Sequence, residues 1–61
     1  MNNFLKKLRK KYNFSQEDIA NRLSVSRQTY AQIEAGKVEL TISRAKKLAK
    51  MFGLNLEDFI A

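Results

Sequence analysis

A run of long polar side chains separated by small ones lies between residues 27 and 35. Arg27, Gln28, Ala31, Gln32 and Ala35 fall within an arc of about 140° when successive residues are placed 100° apart, as in an α-helix. Arginine and glutamine can each form paired hydrogen bonds to base edges in the major groove of DNA, and alanine lets a helix approach closely. Because glutamine and alanine are also strong helix formers, an ordinary solvated helix face is the alternative interpretation.

Composition excludes several other kinds of chemistry. The chain has 61 residues and contains no cysteine and no histidine. Thiolate and imidazole groups are therefore missing as metal ligands, nucleophiles and proton carriers near neutral pH. Two acidic pairs, at 17–18 and 57–58, fall at the starts of predicted helices, where the helix dipole accounts for them. We expect no enzymatic activity, no cofactor and no bound metal.

The charge balance indicates a polyanionic partner. Twelve lysine and arginine residues against six aspartate and glutamate residues give a formal net charge of +6, which favours nucleic acid or an anionic surface. Apolar runs are too short for a membrane span or a secretory signal, so we expect a cytoplasmic, nucleoid-associated protein and no membrane partner. A membrane-surface role for the lysine-rich first helix is an alternative, although the core needs the apolar stripe of that helix.

Helical periodicity recurs along the chain, whereas strand-like alternation does not. It predicts an all-α fold, a compact single domain of five helices over residues 1–61. The predicted helices cover about 3–12, 16–23, 27–35 and 42–52, followed by a short fifth helix. The residues that mark helix starts are Asn2 or Asn3, Ser15, Ser26, Thr41 and Asn55, and those that mark ends are Gly36 and Gly53.

Each of these helices has an apolar face that can pack into a core. The predicted inner faces are Phe4, Leu5, Leu8 and Tyr12 in the first helix, Ile19, Ala20 and Leu23 in the second, and Ile42, Ala45, Leu48, Ala49 and Phe52 in the fourth. Tyr30 and Ile33 face the core from the third helix. The Tyr30 hydroxyl is expected to reach the surface, where it would be available to a phosphate.

The second and third predicted helices are joined by a turn of about three residues. A connection this short sets two helices at a steep angle, as in a helix-turn-helix unit. The small residue Ala20 falls where the helices would cross, and Leu23 and Val25 can hold the angle by packing. Helices 2 and 3 are therefore predicted to form a helix-turn-helix, although any tight helical hairpin shares part of this pattern.

The chain also resembles a known family. The similarity runs from residue 15 to residue 37, SQEDIANRLSVSRQTYAQIEAGK, and matches the helix-turn-helix of the phage-repressor, Cro-like (xenobiotic-response-element) family. It continues through AKKLAKMFG and LEDF, so it covers nearly the whole chain. The resemblance implies a transcriptional repressor that acts as a homodimer on a palindromic operator in double-stranded DNA. The alternative is an antitoxin-like module that binds a protein partner and its own promoter.

Matching positions imply specific contacts in this chain. The resemblance implies base contacts from Arg27, Gln28 and Gln32. It implies phosphate contacts from Gln16, which also braces the recognition helix, and from Ser26, Thr29, Lys37 and Thr41. It further implies a largely buried salt bridge between Arg9 and Glu34 that orients the first and third helices.

Two positions depart from the family pattern. Ser24 stands where the turn usually has glycine, so we expect a turn that is slightly strained or built differently. Glu39 puts a negative charge in the loop that is expected near phosphates. This charge opposes close docking of that loop on the DNA backbone.

Overall fold

Five α-helices and their connections make up the structure, a computed structural model that describes residues 4–60. The helices are α1 (Phe4–Lys11), α2 (Gln16–Leu23), α3 (Arg27–Glu34), α4 (Ile42–Phe52) and α5 (Glu57–Ile60). No β-strand occurs within residues 4–60. The all-α fold is therefore confirmed, and so is the helix-turn-helix, since α2 and α3 pack closely against each other.

Hydroxyl side chains cap the starts of α2, α3 and α4. The Ser15 hydroxyl accepts from the Asp18 amide at 3.0 Å, and the Asp18 carboxylate accepts from the Ser15 amide at 2.8 Å, which completes a capping box. Ser26 and Thr41 cap α3 and α4 by accepting from the backbone amide three residues further on. The predicted caps of the first helix, at residues 2 and 3, lie outside the described residues.

Left-handed backbone conformations follow the ends of four helices. Gly36, with φ +81°, and Gly53, with φ +69°, occupy this conformation after α3 and α4, as predicted. Ser24 takes it after α2 with φ +59°, and its amide donates into the last turn of that helix. An L-residue in this region costs energy, so the turn is strained at Ser24. Asn13, with φ +61° after α1, was not predicted to do the same.

The core lies where α2, α3 and α4 meet. The buried cluster consists of Ile19, Ala20, Leu23, Tyr30 and Leu48. Half-buried side chains surround it, namely Leu5, Phe14, Val25, Leu40, Met51, Phe52 and Phe59. The ring of Phe4 meets that of Phe59 edge-on, with 5.3 Å between centroids, and this contact joins α1 to α5. The apolar faces read from the sequence thus converge on one core.

Two residues predicted to face the core lie at the surface instead. Ile42 is 53% exposed because it opens α4, and the inner face of that helix first becomes buried one turn later, at Ala45. Tyr12 is 46% exposed because α1 has already ended at the preceding residue. One side of its ring still packs against Phe52, with 5.4 Å between centroids.

Neither a membrane span nor a metal cluster is found among the described residues. The longest helix, α4, has 11 residues, whereas crossing a bilayer takes about 20. Across residues 4–60, no helix combines the length and the apolar character of a span. Within the same range, no three or more acidic side chains are grouped so that they could hold a metal ion.

Candidate nucleic-acid interface

The third helix presents one face to the core and the opposite face to solvent. Tyr30 and Ile33 are buried, with 1% and 4% of their surface exposed. Arg27, Gln28 and Gln32 are all exposed on the other side. The alanines on this side have short side chains that project little from the helix; position 31 is half-buried and position 35 is exposed. The face on which the predicted base contacts depend is therefore uncovered.

The start of α3 is more attractive to an anion than the start of α2. Both helix N-termini carry the partial positive charge of the helix dipole. The first turn of α3 contains no acidic residue and begins with Arg27. The first turn of α2 contains Glu17 and Asp18, which offset the dipole there. Of these two helix starts, that of α3 is therefore the more positive.

Two hydroxyl groups lie together at this helix start. Ser26 Oγ accepts from the Thr29 amide at 3.1 Å and donates to Thr29 Oγ1 at 2.9 Å. The two hydroxyl groups share one hydrogen bond, and since each hydroxyl has one donor and two acceptor positions, one proton of the pair can be donated to an oxygen outside the protein.

The loop after α3 folds back onto the end of that helix. The amides of Lys37 and Val38 both donate to the Gln32 carbonyl, at 2.8 and 3.2 Å. This places the exposed Lys37 beside the last turn of the uncovered face. Thr41 Oγ1 accepts a backbone amide, which leaves its proton to donate outward. Glu39 is exposed in the same loop. Its negative charge could oppose docking on phosphates, as expected, only from an exposed position such as this.

Behind the exposed face, the structure brings Arg9 and Glu34 together as a paired contact. Arg9 Nε donates to Glu34 Oε2 at 2.7 Å, and Arg9 Nη2 donates to Glu34 Oε1 at 3.0 Å. A third nitrogen, Nη1, donates to the carbonyl of Phe14 at 2.9 Å. Only 11% and 6% of the two side chains are exposed. The pair therefore ties α1 and the segment before α2 to the end of α3.

The surroundings keep this pair charged. Burial alone would raise the pKa of the Glu34 carboxyl, but hydrogen bonds from Arg9, Tyr30 and Gln16 together hold that pKa below its ordinary value. The hydrogen bond to Glu34 outweighs burial and raises the pKa of Arg9. Burial, reinforced by the Glu34 carboxylate, raises the pKa of the Tyr30 hydroxyl. The expectation that this hydroxyl reaches the surface is wrong, because it is directed at the buried ion pair and Tyr30 is 1% exposed.

Gln16 connects the ion pair to the exposed face. Its Nε2 donates to Glu34 Oε1 at 3.1 Å, and its Oε1 accepts from Arg27 Nη1 at 3.4 Å. The resemblance implied that Gln16 braces the recognition helix, and the structure gives Arg27 as its partner there; a spacing of 11 residues does not name that partner until the angle between α2 and α3 is known. The turn at Asn13 did have a signal, since asparagine is among the residues that tolerate positive φ best.

Comparisons with known proteins agree on one family. The helix-turn-helix family matches residues 5–59. An uncharacterized HTH-type transcriptional regulator of Methanocaldococcus jannaschii is 48% identical over 58 residues, which cover 95% of this chain and 88% of the relative. The uncharacterized HTH-type transcriptional regulator YgzD of Bacillus subtilis is 38% identical over 58 residues, with the same coverage of 95% and 88%. No solved structure matches the chain.

Proposed function

Because the chain belongs to the Cro/C1-type helix-turn-helix family of DNA-binding regulators, we propose that it recognises a specific operator sequence in duplex DNA. In this proposal α3 enters the major groove and α2 crosses the DNA backbone. The protein acts as a homodimer on a palindromic site and represses transcription. Acting on chromosomal DNA places it at the nucleoid.

The observation that carries the proposal is the division of α3 into a fixed face and an uncovered one. Tyr30 and Ile33 hold the helix against the core, while Arg27, Gln28 and Gln32 lie exposed. Arginine pairs with the O6 and N7 acceptors of guanine, and glutamine pairs with the N6 and N7 groups of adenine. Each such pair discriminates against a wrong base by about 1–3 kcal/mol.

The residues around this face support contacts with the DNA backbone. Thr41 keeps its hydroxyl proton after capping α4, and Thr29 shares one hydrogen bond with the Ser26 hydroxyl, so that pair keeps one proton as well. Lys37 is exposed beside the last turn of α3. With Gln16 and Ser26 they make up the proposed phosphate contacts, which set the register of the protein on the duplex without reading its sequence.

Dimer formation is supported by an exposed apolar side chain. The apolar side chain of Ile42 is 53% exposed at the start of α4, and a second copy that covers it would remove this surface from water. Two α3 helices in such a dimer would lie about 34 Å apart, one turn of DNA. Repression requires only that the operator be occupied where it overlaps a promoter.

Selection of bound sequences from a random DNA pool tests the proposal. The wild-type chain is expected to enrich a palindromic sequence whose half-sites repeat after about one helical turn. Arg27→Ala and Gln32→Ala are expected to lose preference at one base pair each per half-site, by about 1–3 kcal/mol, because each removes a paired contact to a base edge.

Arg22→Ala is the matched control, since it removes an exposed cation from α2 that is not among the proposed contacts. It should leave the selected sequence unchanged. Enrichment of no sequence by the wild type would contradict sequence-specific binding, and enrichment of single half-sites would contradict the dimer alone.

A further inference from the structure

We propose that the outer surface of α1 is a docking site for an acidic, amphipathic α-helix of a partner protein. The site is a cleft of about 210 Å³, and the residues that line it are Phe4, Lys7, Leu8 and Lys11. This inference goes beyond operator recognition, because it assigns a protein partner to a surface that no proposed DNA contact uses.

The spacing of the four lining residues indicates that the occupant is a helix. They occupy positions i, i+3, i+4 and i+7 of α1, and residues three and four apart are neighbours on a helix surface. Four such residues surround one hole, which in helix–helix packing receives a single side chain of the facing helix. The cleft therefore suits a helix that presents an apolar side chain to α1.

The apolar part of the cleft is held in place by the core. Leu8 is buried, and the ring of Phe4 meets that of Phe59 edge-on at 5.3 Å between centroids. The Tyr12 amide donates to the Leu8 carbonyl at 3.3 Å, so the helical spacing continues to the exposed Tyr12, whose ring centroid lies 5.7 Å from Lys11 Nζ. Because the fold already uses these side chains, they cannot insert into a bilayer, and this favours a protein helix over a lipid surface.

The basic part of the cleft determines the charge of the occupant. Lys7 and Lys11 are both exposed. Within residues 4–60, the only ion pair joins Arg9 to Glu34, so neither lysine is balanced by a carboxylate of that part of the chain. A second copy docked through the same surface would bring these lysines together and repel. A helix with aspartate or glutamate beside its apolar residues supplies the opposite charge instead.

The cleft faces away from the helix that is proposed to read DNA. The Arg9 side chain points toward α3, where it donates to Glu34. Lys7 and Lys11 are each two residues from Arg9, which places them about 160° from it around the helix. A partner in the cleft and a duplex on α3 therefore occupy different sides of the molecule, and both can be bound at once.

A designed peptide tests the site on the full chain. The probe is a synthetic helix with leucines at i and i+4 along one face and glutamates on either side of them. A second peptide of the same composition has its leucines distributed around the helix, so it keeps the charge but loses the apolar row. Fluorescence anisotropy should show at least about fivefold tighter binding of the first peptide, because only that one buries a leucine side chain in the cleft.

Two double variants of equal net charge separate the cleft from general attraction. Lys7→Glu with Lys11→Glu reverses the charge of the cleft, whereas Lys6→Glu with Lys10→Glu reverses two exposed lysines about 100° away around the same helix. The cleft variant should weaken binding of the first peptide at least about fourfold, through loss of two exposed ion pairs and added repulsion. The control variant should change it less than about twofold, because solvent and salt screen the more distant charges.

A third peptide, with lysines in place of the glutamates, should bind the cleft variant more tightly than it binds the wild type. Circular dichroism establishes that each variant is folded. If the charge reversal unfolds the chain, Lys7→Gln with Lys11→Gln takes its place and should weaken binding of the first peptide by about 2- to 30-fold.

Equal binding of the first two peptides by the wild type, or an equal loss in the two double variants, would overturn the docking site. Complete displacement of the peptide by saturating duplex DNA would also overturn it, because the cleft would then lie against the DNA. Vesicles that contain phosphatidylglycerol provide the remaining comparison. Vesicle binding that is lost in the cleft variant, without selective binding of the first peptide, would assign these lysines to a lipid surface instead.

Discussion

Gln32 and Glu34 are two residues apart on α3, yet they lie in opposite environments. Glu34 is 8% exposed, and its oxygens accept from Arg9 and Gln16 at 2.7 to 3.1 Å. Gln32 is exposed, and its side chain faces solvent. Among the described residues, no buried side-chain nitrogen or oxygen lacks a hydrogen-bond partner. The buried face thus has its polar groups fully used, and the exposed face keeps its polar groups available.

This difference separates what holds the helix in place from what it can bind. Substitutions on the exposed face change groups that contribute little to the fold, so these groups can vary without loss of stability. Substitutions on the buried face leave a charge or a donor without its partner, and such a group costs free energy in proportion to its burial. Gln16 contacts both faces of α3, because its Nε2 donates to the buried Glu34 and its Oε1 accepts from the exposed Arg27.

The largest expected effect comes from breaking the buried face. Glu34→Ala should lower the free energy of unfolding by about 3–5 kcal/mol, because it leaves the Arg9 guanidinium buried without its counter-charge. In a chain of 61 residues, with the thin stability margin of small domains, this is expected to unfold most molecules. Urea denaturation followed by circular dichroism measures the change.

Two matched variants show whether the loss of stability in Glu34→Ala comes from the buried position or from the type of residue removed. Gln32→Ala removes a polar side chain from the same helix on the exposed face and should change the free energy of unfolding by less than about 0.5 kcal/mol. Glu39→Ala removes an exposed carboxylate and should have an equally small effect. A loss of about 0.5 kcal/mol or less for Glu34→Ala, as at exposed positions, would show that the two faces of α3 are not distinct.

A smaller effect is expected from acid, which protonates the buried carboxylate without removing it. The folded-state pKa of Glu34 lies below its ordinary value of 4.5, so the unfolded chain takes up the proton more readily. The contribution of Glu34 to the free energy of unfolding should therefore be constant above about pH 4.5 and decrease as the pH drops toward the folded-state pKa. Melting temperatures measured from pH 7 down to pH 3 follow this loss.

Glu34→Gln separates this group from other carboxylates. The capping hydrogen bonds from Ser15 also lower the pKa of Asp18, which gives the same direction of pH dependence from an exposed site. The melting temperature of Glu34→Gln should start lower at pH 7 and then decline less steeply than that of the wild type. Parallel curves for the two proteins would assign the acid sensitivity to Asp18 and other exposed groups.

Much of the fold was predictable because it depends on local rules. Capping hydroxyls at Ser15, Ser26 and Thr41 and left-handed glycines after α3 and α4 each act within one turn of helix. The uncovered face of α3 was predictable for a similar reason, since residues on one helix obey a fixed angular spacing. These features need no knowledge of how the helices are arranged.

Features that depend on the arrangement of helices were not predictable in the same way. The exposure of Ile42 depends on where α4 meets the core, whereas the helical periodicity of α4 predicted that Ile42 would face the core. Tyr30 is buried with its hydroxyl close enough to the Arg9–Glu34 ion pair for the pair to shift its pKa, a position that depends on α1 as well as α3. The bond from Arg27 to Gln16 depends on the angle between α2 and α3.

The smallest expected effect concerns the turn that sets this angle. Ser24 is exposed and holds φ +59°, a conformation that costs an L-residue energy and costs glycine almost none. Ser24→Gly should therefore raise the free energy of unfolding by about 0.5–1 kcal/mol, measured by urea denaturation. Asn13→Gly, at φ +61°, should gain less, because asparagine enters this region more readily than serine.

Operator binding by Ser24→Gly then shows whether the base preference of the exposed face of α3 depends on strain in the turn. If the turn only connects α2 to α3, stability should rise while preference at the base pairs assigned to Arg27 and Gln32 stays unchanged. A gain in stability with an altered preference would mean that the angle held by the strained residue also places α3 against the bases. In that case the two faces of α3 would be coupled through the turn as well as through Gln16, because both routes act on the position of Arg27.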